Sequence, residues 1–133
     1  MSSTEQSPQE KSAAELSPEL SPADVVRAGL ESYLAQDRAR SERLIAEEFD
    51  FTSPQDDHID RATFFERCFP TADRLVSQQI LAVGLLGAST AGVDVFVLYE
   101  YELKAGGRYR NAEVQTVRDG QIRQAQVFFG GRV

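Results

Sequence analysis

Along this chain the spacing of apolar side chains changes near residue 74, from a helical period to a period of two. In "SPADVVRAGLESYLAQD", Val25, Val26, Gly29, Leu30, Tyr33 and Leu34 recur at helical intervals and form one apolar stripe. Ser21 is a good N-cap, Pro22 suits the first helical position, and Asp24 adds negative charge to the first turn. Asp37 can cap a second, shorter helix, "RARSERLIAEEF", that buries Leu44, Ile45 and Phe49. Phe49 and Phe51 then alternate with Asp50, so a very short strand is expected to end near Thr52, where Ser53 and Pro54 turn the chain. Asp60 is the expected N-cap of a third helix, "RATFFERCF", whose end is signalled by Pro70.

Beyond residue 74 the alternation is clear. In "VDVFVLYEYELK", Val93, Val95, Val97, Tyr99, Tyr101 and Leu103 share one face, and Asp94, Phe96, Leu98, Glu100, Glu102 and Lys104 share the other. "AGG" at 105 to 107 makes a hairpin turn, "RYRNAEVQTVR" returns, "DG" at 119 and 120 turns again, and "QIRQAQVFF" forms a last strand. Another strand near residues 76 to 86 precedes them, completing a meander. Helices followed by strands predict an α+β fold with the helices on one face of the sheet. Long antiparallel strands twist strongly. The expected architecture is a cone-shaped half-barrel, with three N-terminal helices packed on a strongly curved sheet of four to five antiparallel strands. Such a shape encloses a hollow suited to a ligand.

Length and charge narrow the picture. The 133 residues suffice for one domain, expected over 21–133. Residues 1–20 are rich in Ser, Glu, Gln and Pro and lack aromatics, so a disordered tail is expected there. With 21 acids against 14 bases the net charge is −7, which argues against nucleic acid and membrane surfaces as partners. The apolar run "ILAVGLLGASTAGVDVFVLY" is interrupted by Gly84, Gly87, Ser89, Thr90, Gly92 and Asp94, and reads as two strands rather than a membrane span. The N-terminus has no apolar core flanked by basic residues, so no secretory signal is read there and a cytoplasmic location is expected. A single cysteine, Cys68, forms no internal disulfide, has no companions for a metal site, and reads as a small core residue.

Four stretches together resemble the SnoaL-like branch of the nuclear transport factor 2 superfamily: "DVVRAGLESYLAQD", "FDFTSP" before "IDRATFFERCFP", "VFVLYEYEL", and "AEVQTVRDGQIRQAQVFFGG". The resemblance covers residues 22 to 131 and implies the cone-shaped fold already read from the pattern. The fold hosts isomerases, cyclases, dehydratases, hydrolases and non-catalytic binding domains, so function has to be argued residue by residue. Ketosteroid isomerases, similar in layout, place their general base where this chain has Ser53, whose hydroxyl cannot do that work at neutral pH. Their protonated strand acid matches Glu113, and the aromatic closing their pocket matches Phe129.

Glu113 shares a face with Tyr109, Asn111 and Gln115; the other face carries Arg110, Ala112, Val114 and Thr116, and the resemblance favours the first as inner. A carboxyl group in an apolar hollow has its pKa raised and becomes a candidate acid, donor or base. Tyr99 and Tyr101 are expected to point inward, with Glu113 the obvious partner for a tyrosine hydroxyl. The candidate ligand-binding set is therefore Tyr99, Tyr101, Asn111, Glu113 and Phe129, with Glu113 or an Asp57–His58 dyad as candidate catalysts. A surface histidine paired with Asp56 or Asp57 is the plainer account of His58. No metal site and no cofactor are expected. The expected function is binding of a small hydrophobic or carbonyl-bearing ligand. The alternatives are a cofactor-independent isomerase, cyclase, dehydratase or hydrolase, and a purely structural dimerisation module with a filled core. Phe96, Leu98 and Val114, and with them Val127 or Phe128, mark the convex face as the expected homodimer interface.

Overall fold

The structure is a computed structural model that describes residues 20–133. The expected disordered tail, apart from Leu20, lies outside the described residues.

Helix α1 (Pro22–Ala35) starts as its sequence requires: Ser21 accepts a hydrogen bond from the Asp24 amide at 3.1 Å, and proline stands in the first turn. It ends at Gln36, whose left-handed backbone (φ 56°) lets its amide reach the carbonyls of Ser32 and Tyr33. Val25, Val26 and Leu30 are buried, but Leu34 is 39% exposed and falls outside the expected stripe. Ala28 and Ser32 are buried in its place. Their small size admits α2 (Arg38–Leu44) closely enough for Ser32 and Ser41 to hydrogen-bond at 2.6 Å. Asp37 caps α2 by accepting from the Arg40 amide.

The second helix is shorter than the expected stretch "RARSERLIAEEF". The chain leaves α2 at Leu44 and becomes strand β1 (Ile45–Ser53). Against β6 (Gln121–Arg132), Ile45 faces Ile122 while Asp50 faces Gln124, so three residues of β1 bulge out of the ladder. The bulge gives buried Ile45, Ala46 and Phe49 a spacing that imitates a helix. Residues expected to form a loop make a second strand, β2 (Asp56–Asp60), in a hairpin with β1. It is an edge strand, where charged side chains are the norm and apolar alternation is not required. Asp60 then caps α3 (Arg61–Arg67) through the Thr63 amide at 2.9 Å, and a 3₁₀ helix (Phe69–Arg74) starts beside Pro70.

Strands β3 (Leu75–Ser89), β4 (Gly92–Leu103) and β5 (Arg108–Arg118) lead into β6. The sheet has six strands in the order β2-β1-β6-β5-β4-β3, with β1 parallel to β6 and every other pairing antiparallel. The expected count of four to five strands, all antiparallel, is thus corrected by the β1–β2 hairpin. The sheet is curved and not closed, ending at β2 and β3. Gly92, at φ 134°, allows the β3–β4 turn to lie against β5, where a β-carbon would collide with the Val117 carbonyl. The helices cover the concave face, and the core between the layers is built from Val25, Leu30, Phe49, Phe65, Val95 and Val97 with their neighbours. Phe49, Phe64 and Phe65 meet edge-to-face at centroid distances of 5.1 and 5.5 Å, the arrangement aromatic quadrupoles favour. Among the described residues no helix is long and apolar enough to cross a membrane.

Candidate functional site

Between the helices and the concave sheet lies a cavity of about 600 Å³. Leu30, Phe49, Ile122 and Ala125 contribute apolar wall, and the inner faces of β4 and β5 contribute its polar part. The geometry follows from strand register. Val97 stands opposite Glu113 and Tyr99 opposite Asn111, so Tyr99 and Glu113 are diagonal neighbours on one face. The tyrosine side chain spans that diagonal, and its hydroxyl donates to Glu113 Oε2 at 2.7 Å. Gln115, two residues further along the same face, donates from Nε2 to Glu113 Oε1 at 2.7 Å. Asn111 Nδ2 approaches the Tyr99 oxygen at 3.5 Å, and its Oδ1 accepts from the Gly130 amide at 3.4 Å. All four side chains are buried.

Burial pushes the Glu113 carboxyl above the usual glutamate range, and the bonds from Tyr99 and Gln115 only partly oppose it. Burial, followed by the charge of Glu113, pushes the Tyr99 phenol well above its ordinary value, so it stays a donor. The two charge states of the carboxyl offer different surfaces to the cavity. As a carboxylate it accepts from both Tyr99 and Gln115 and holds those donors to itself. When neutral it can donate its own proton to the Tyr99 oxygen, which frees the tyrosine O–H for another acceptor.

Elsewhere on the wall, Arg67 pairs with Asp56 at 2.8 Å, and the Cys68 thiol approaches Asp56 Oδ2 at 3.8 Å. Burial and then the Asp56 charge push that thiol up to about 11. Cys68 is half-buried on the cavity wall rather than a core residue, and it stays a protonated thiol rather than a nucleophile. Ser53 also lines the cavity, but its oxygen accepts from the amides of Gln55 and Asp56 and holds the hairpin tip. Tyr33, whose phenol is raised mainly by burial, shares a hydrogen bond with Thr71 at 2.6 Å.

Of the residues singled out in the sequence, Tyr99, Tyr101, Asn111, Glu113 and Phe129 all line the cavity. Tyr99, Asn111 and Glu113 form one hydrogen-bonded group. Tyr101 stacks on Tyr109 with centroids 5.7 Å apart, and Phe129 is half-exposed. Asp57 and His58 are placed differently. They pair with each other at 2.6 Å on β2, exposed and away from the cavity wall. The hydrogen bond to Asp57 raises the His58 pKa, as expected of a surface pair. Asp56, one residue earlier on β2, lines the cavity instead. Asp57 points to the opposite face, as strand neighbours do, and His58 departs from the alternation with a left-handed backbone at φ 51°. Phe96, Leu98 and Val114 lie half-buried on the convex face and Phe128 is exposed, whereas Val127 turns inward to the cavity. Gln115 was legible as a face-mate of Glu113 but not as its hydrogen-bond partner. Among the described residues no cluster of three or more His, Cys, Asp and Glu side chains is placed to hold a metal ion.

No protein-family model matches the sequence, and no curated protein matches it significantly. Solved structures do match. A protein from Kribbella flavida superposes with a TM-score of 0.68 at 25% identity, covering 80% of this chain and 84% of its own. An NTF2-like protein of unknown function from Cytophaga hutchinsonii gives 0.61 at 15% identity, covering 86% and 94%. An LEH-like epoxide hydrolase from M. tuberculosis gives 0.60 at 15% identity, covering 80% of each chain. The chain shares the fold of these NTF2-like structures, the architecture expected from its sequence.

Proposed function

We propose that the cavity binds a small, largely apolar molecule through a carbonyl or hydroxyl oxygen held at the Glu113–Tyr99 group, with no cofactor. The observation that carries this is a buried, hydrogen-bonded carboxyl group of raised pKa in the wall of a cavity of about 600 Å³. A volume of that size suits a ligand and argues against a domain that serves only as a filled structural core. With Glu113 neutral, Tyr99 supplies the donor and the carboxyl backs it up through the tyrosine oxygen. A thermal-shift screen of hydrophobic ketones, lactones and acids tests the idea. Ligands that stabilise wild type and not Glu113→Gln support it; equal stabilisation of both removes Glu113 from the site.

The same geometry supports a second reading, in which the chain is an enzyme and Glu113 exchanges a proton with a bound carbonyl compound. A raised carboxyl within reach of a cavity is what general acid–base chemistry needs. Deuterium exchange at the carbon next to the carbonyl of a bound ketone separates the two. Exchange that depends on Glu113 supports catalysis, and its absence leaves binding alone. The exposed Asp57–His58 pair is not among the residues that line the cavity, and neither reading uses it.

A second copy of the chain is proposed to cover the convex face around Phe96, Leu98 and Val114, beside exposed Phe128. Phe96→Lys is expected to yield a folded monomer by sedimentation; a dimer of unchanged affinity would remove that face from the interface.

A further inference from the structure

Gln115 holds an unmet hydrogen-bonding requirement. Its side chain is 6% exposed and lines the cavity, and its Nε2 is engaged by Glu113 Oε1 at 2.7 Å. The amide oxygen on the other side has no hydrogen-bond partner and is shut off from solvent. Across the ladder Gln115 faces Val95 and Ala125, whose side chains offer no donor. A buried acceptor left alone is costly, and the large majority of such atoms in folded proteins are paired. Turning the amide over does not remove the problem. With Glu113 ionised it sets oxygen against oxygen, and in either charge state it leaves an N–H pair unsatisfied where one oxygen was. The terminal torsion of a glutamine is broad, and rotation about it would turn the oxygen toward a donor arriving in the cavity.

We propose that Gln115 is a specificity-determining residue that accepts a hydrogen bond from the ligand. This rests on the reading of the cavity as a binding site and narrows the ligand class. The preferred molecule carries, at the buried end of an apolar body, a hydroxyl or N–H group next to its carbonyl, as in hydroxy ketones, carboxamides and lactams. The division of work follows from the hydrogen bonds. Tyr99 and Gln115 approach opposite oxygens of one carboxyl group, so a single compact polar end meets both: its carbonyl takes the Tyr99 O–H and its donor goes to Gln115 Oε1. A ligand with the carbonyl alone leaves the glutamine oxygen unpaired, and sites built to bond a donor discriminate against analogues without one.

Three probes of nearly equal shape test this by titration calorimetry: 2-naphthamide, with carbonyl and N–H; 2-acetonaphthone, with carbonyl only; and 2-isopropenylnaphthalene, with neither. Wild type is expected to bind the amide about tenfold more tightly than the ketone. In Gln115→Leu, and in Gln115→Met as a second variant of similar volume, that ratio is expected to fall to near one. A wild-type ratio near one overturns the proposal without any variant, and so does a ratio that survives both substitutions. Ketone binding without an amide preference defeats only this inference. No binding by any of the three probes defeats the underlying ligand-binding reading as well.

Discussion

Replacing Tyr99 with phenylalanine deletes one hydroxyl and keeps the ring, so its cost measures what that hydroxyl does for Glu113. The bond is 2.7 Å long and both residues are buried, while the other carboxyl oxygen keeps its bond from Gln115. The cost therefore depends on charge. With Glu113 neutral, the deletion removes a neutral hydrogen bond worth about 1 kcal/mol. With Glu113 ionised, it strips one of two charge-assisted bonds from a buried carboxylate, at about 2–3 kcal/mol. Because burial raises the Glu113 pKa, the smaller cost holds from acid pH up to that raised value and the larger one beyond it. In a domain of this size 1 kcal/mol shifts Tm by roughly 4 °C. Thermal unfolding of wild type and Tyr99→Phe, followed by circular dichroism across the pH range, should show a gap of ~4 °C that widens to ~8 °C or more as pH rises. Repeating the pair in a Glu113→Gln background should abolish the widening. A gap independent of pH, or one that still widens without the carboxyl, would mean that the Tyr99 hydroxyl does not serve the Glu113 charge.

Glu113 itself should shape the pH dependence of stability. Its folded pKa lies above its unfolded one, so its contribution is fully present below the unfolded value and is lost as pH rises through the folded value. Wild type should therefore lose stability relative to Glu113→Gln with rising pH in matched melts, and a constant difference would contradict the assignment. Cys68, with its thiol at about 11, should react with iodoacetamide far more slowly at neutral pH than an ordinary surface cysteine; equal rates measured by mass spectrometry would show the thiol is not held up. Ser21→Ala removes the cap on α1 and should cost about 1 kcal/mol in urea unfolding, with no loss expected if the cap were irrelevant.

The caps and the meander were readable because each depends on neighbours in sequence. Ser21, Asp37 and Asp60 sit where a short polar side chain must meet an amide three residues on, and each does. The alternation through Val95, Val97 and Tyr99 gave the inner face of β4, whereas the inward place of Glu113 on β5 came from the family resemblance. What escaped depends on distant partners. The bulge of β1 against β6 brings Ile45 opposite Ile122, a pairing with no local signal, and without it Ile45, Ala46 and Phe49 look helical. The edge strand β2 offers one apolar residue, Ile59, too little to set an alternation, and His58 breaks the alternation with a left-handed backbone, so the outward turn of Asp57 and His58 and the inward turn of Asp56 were hidden. Leu34 was counted into a stripe whose inner edge belongs to Ser32, because the contact with Ser41 outranks one leucine. The free oxygen of Gln115 is a matter of side-chain orientation that no spacing encodes.

The claim on which the account depends is that Glu113 is a carboxyl group kept readily protonated by its buried place in the cavity wall. A carbon-13 NMR titration of the glutamate carboxyl groups, with the Glu113 signal assigned from its loss in Glu113→Gln, measures this directly. The account predicts a midpoint above the ordinary glutamate value of about 4.3, moving further up in Tyr99→Phe. A midpoint at or below that ordinary value would contradict it.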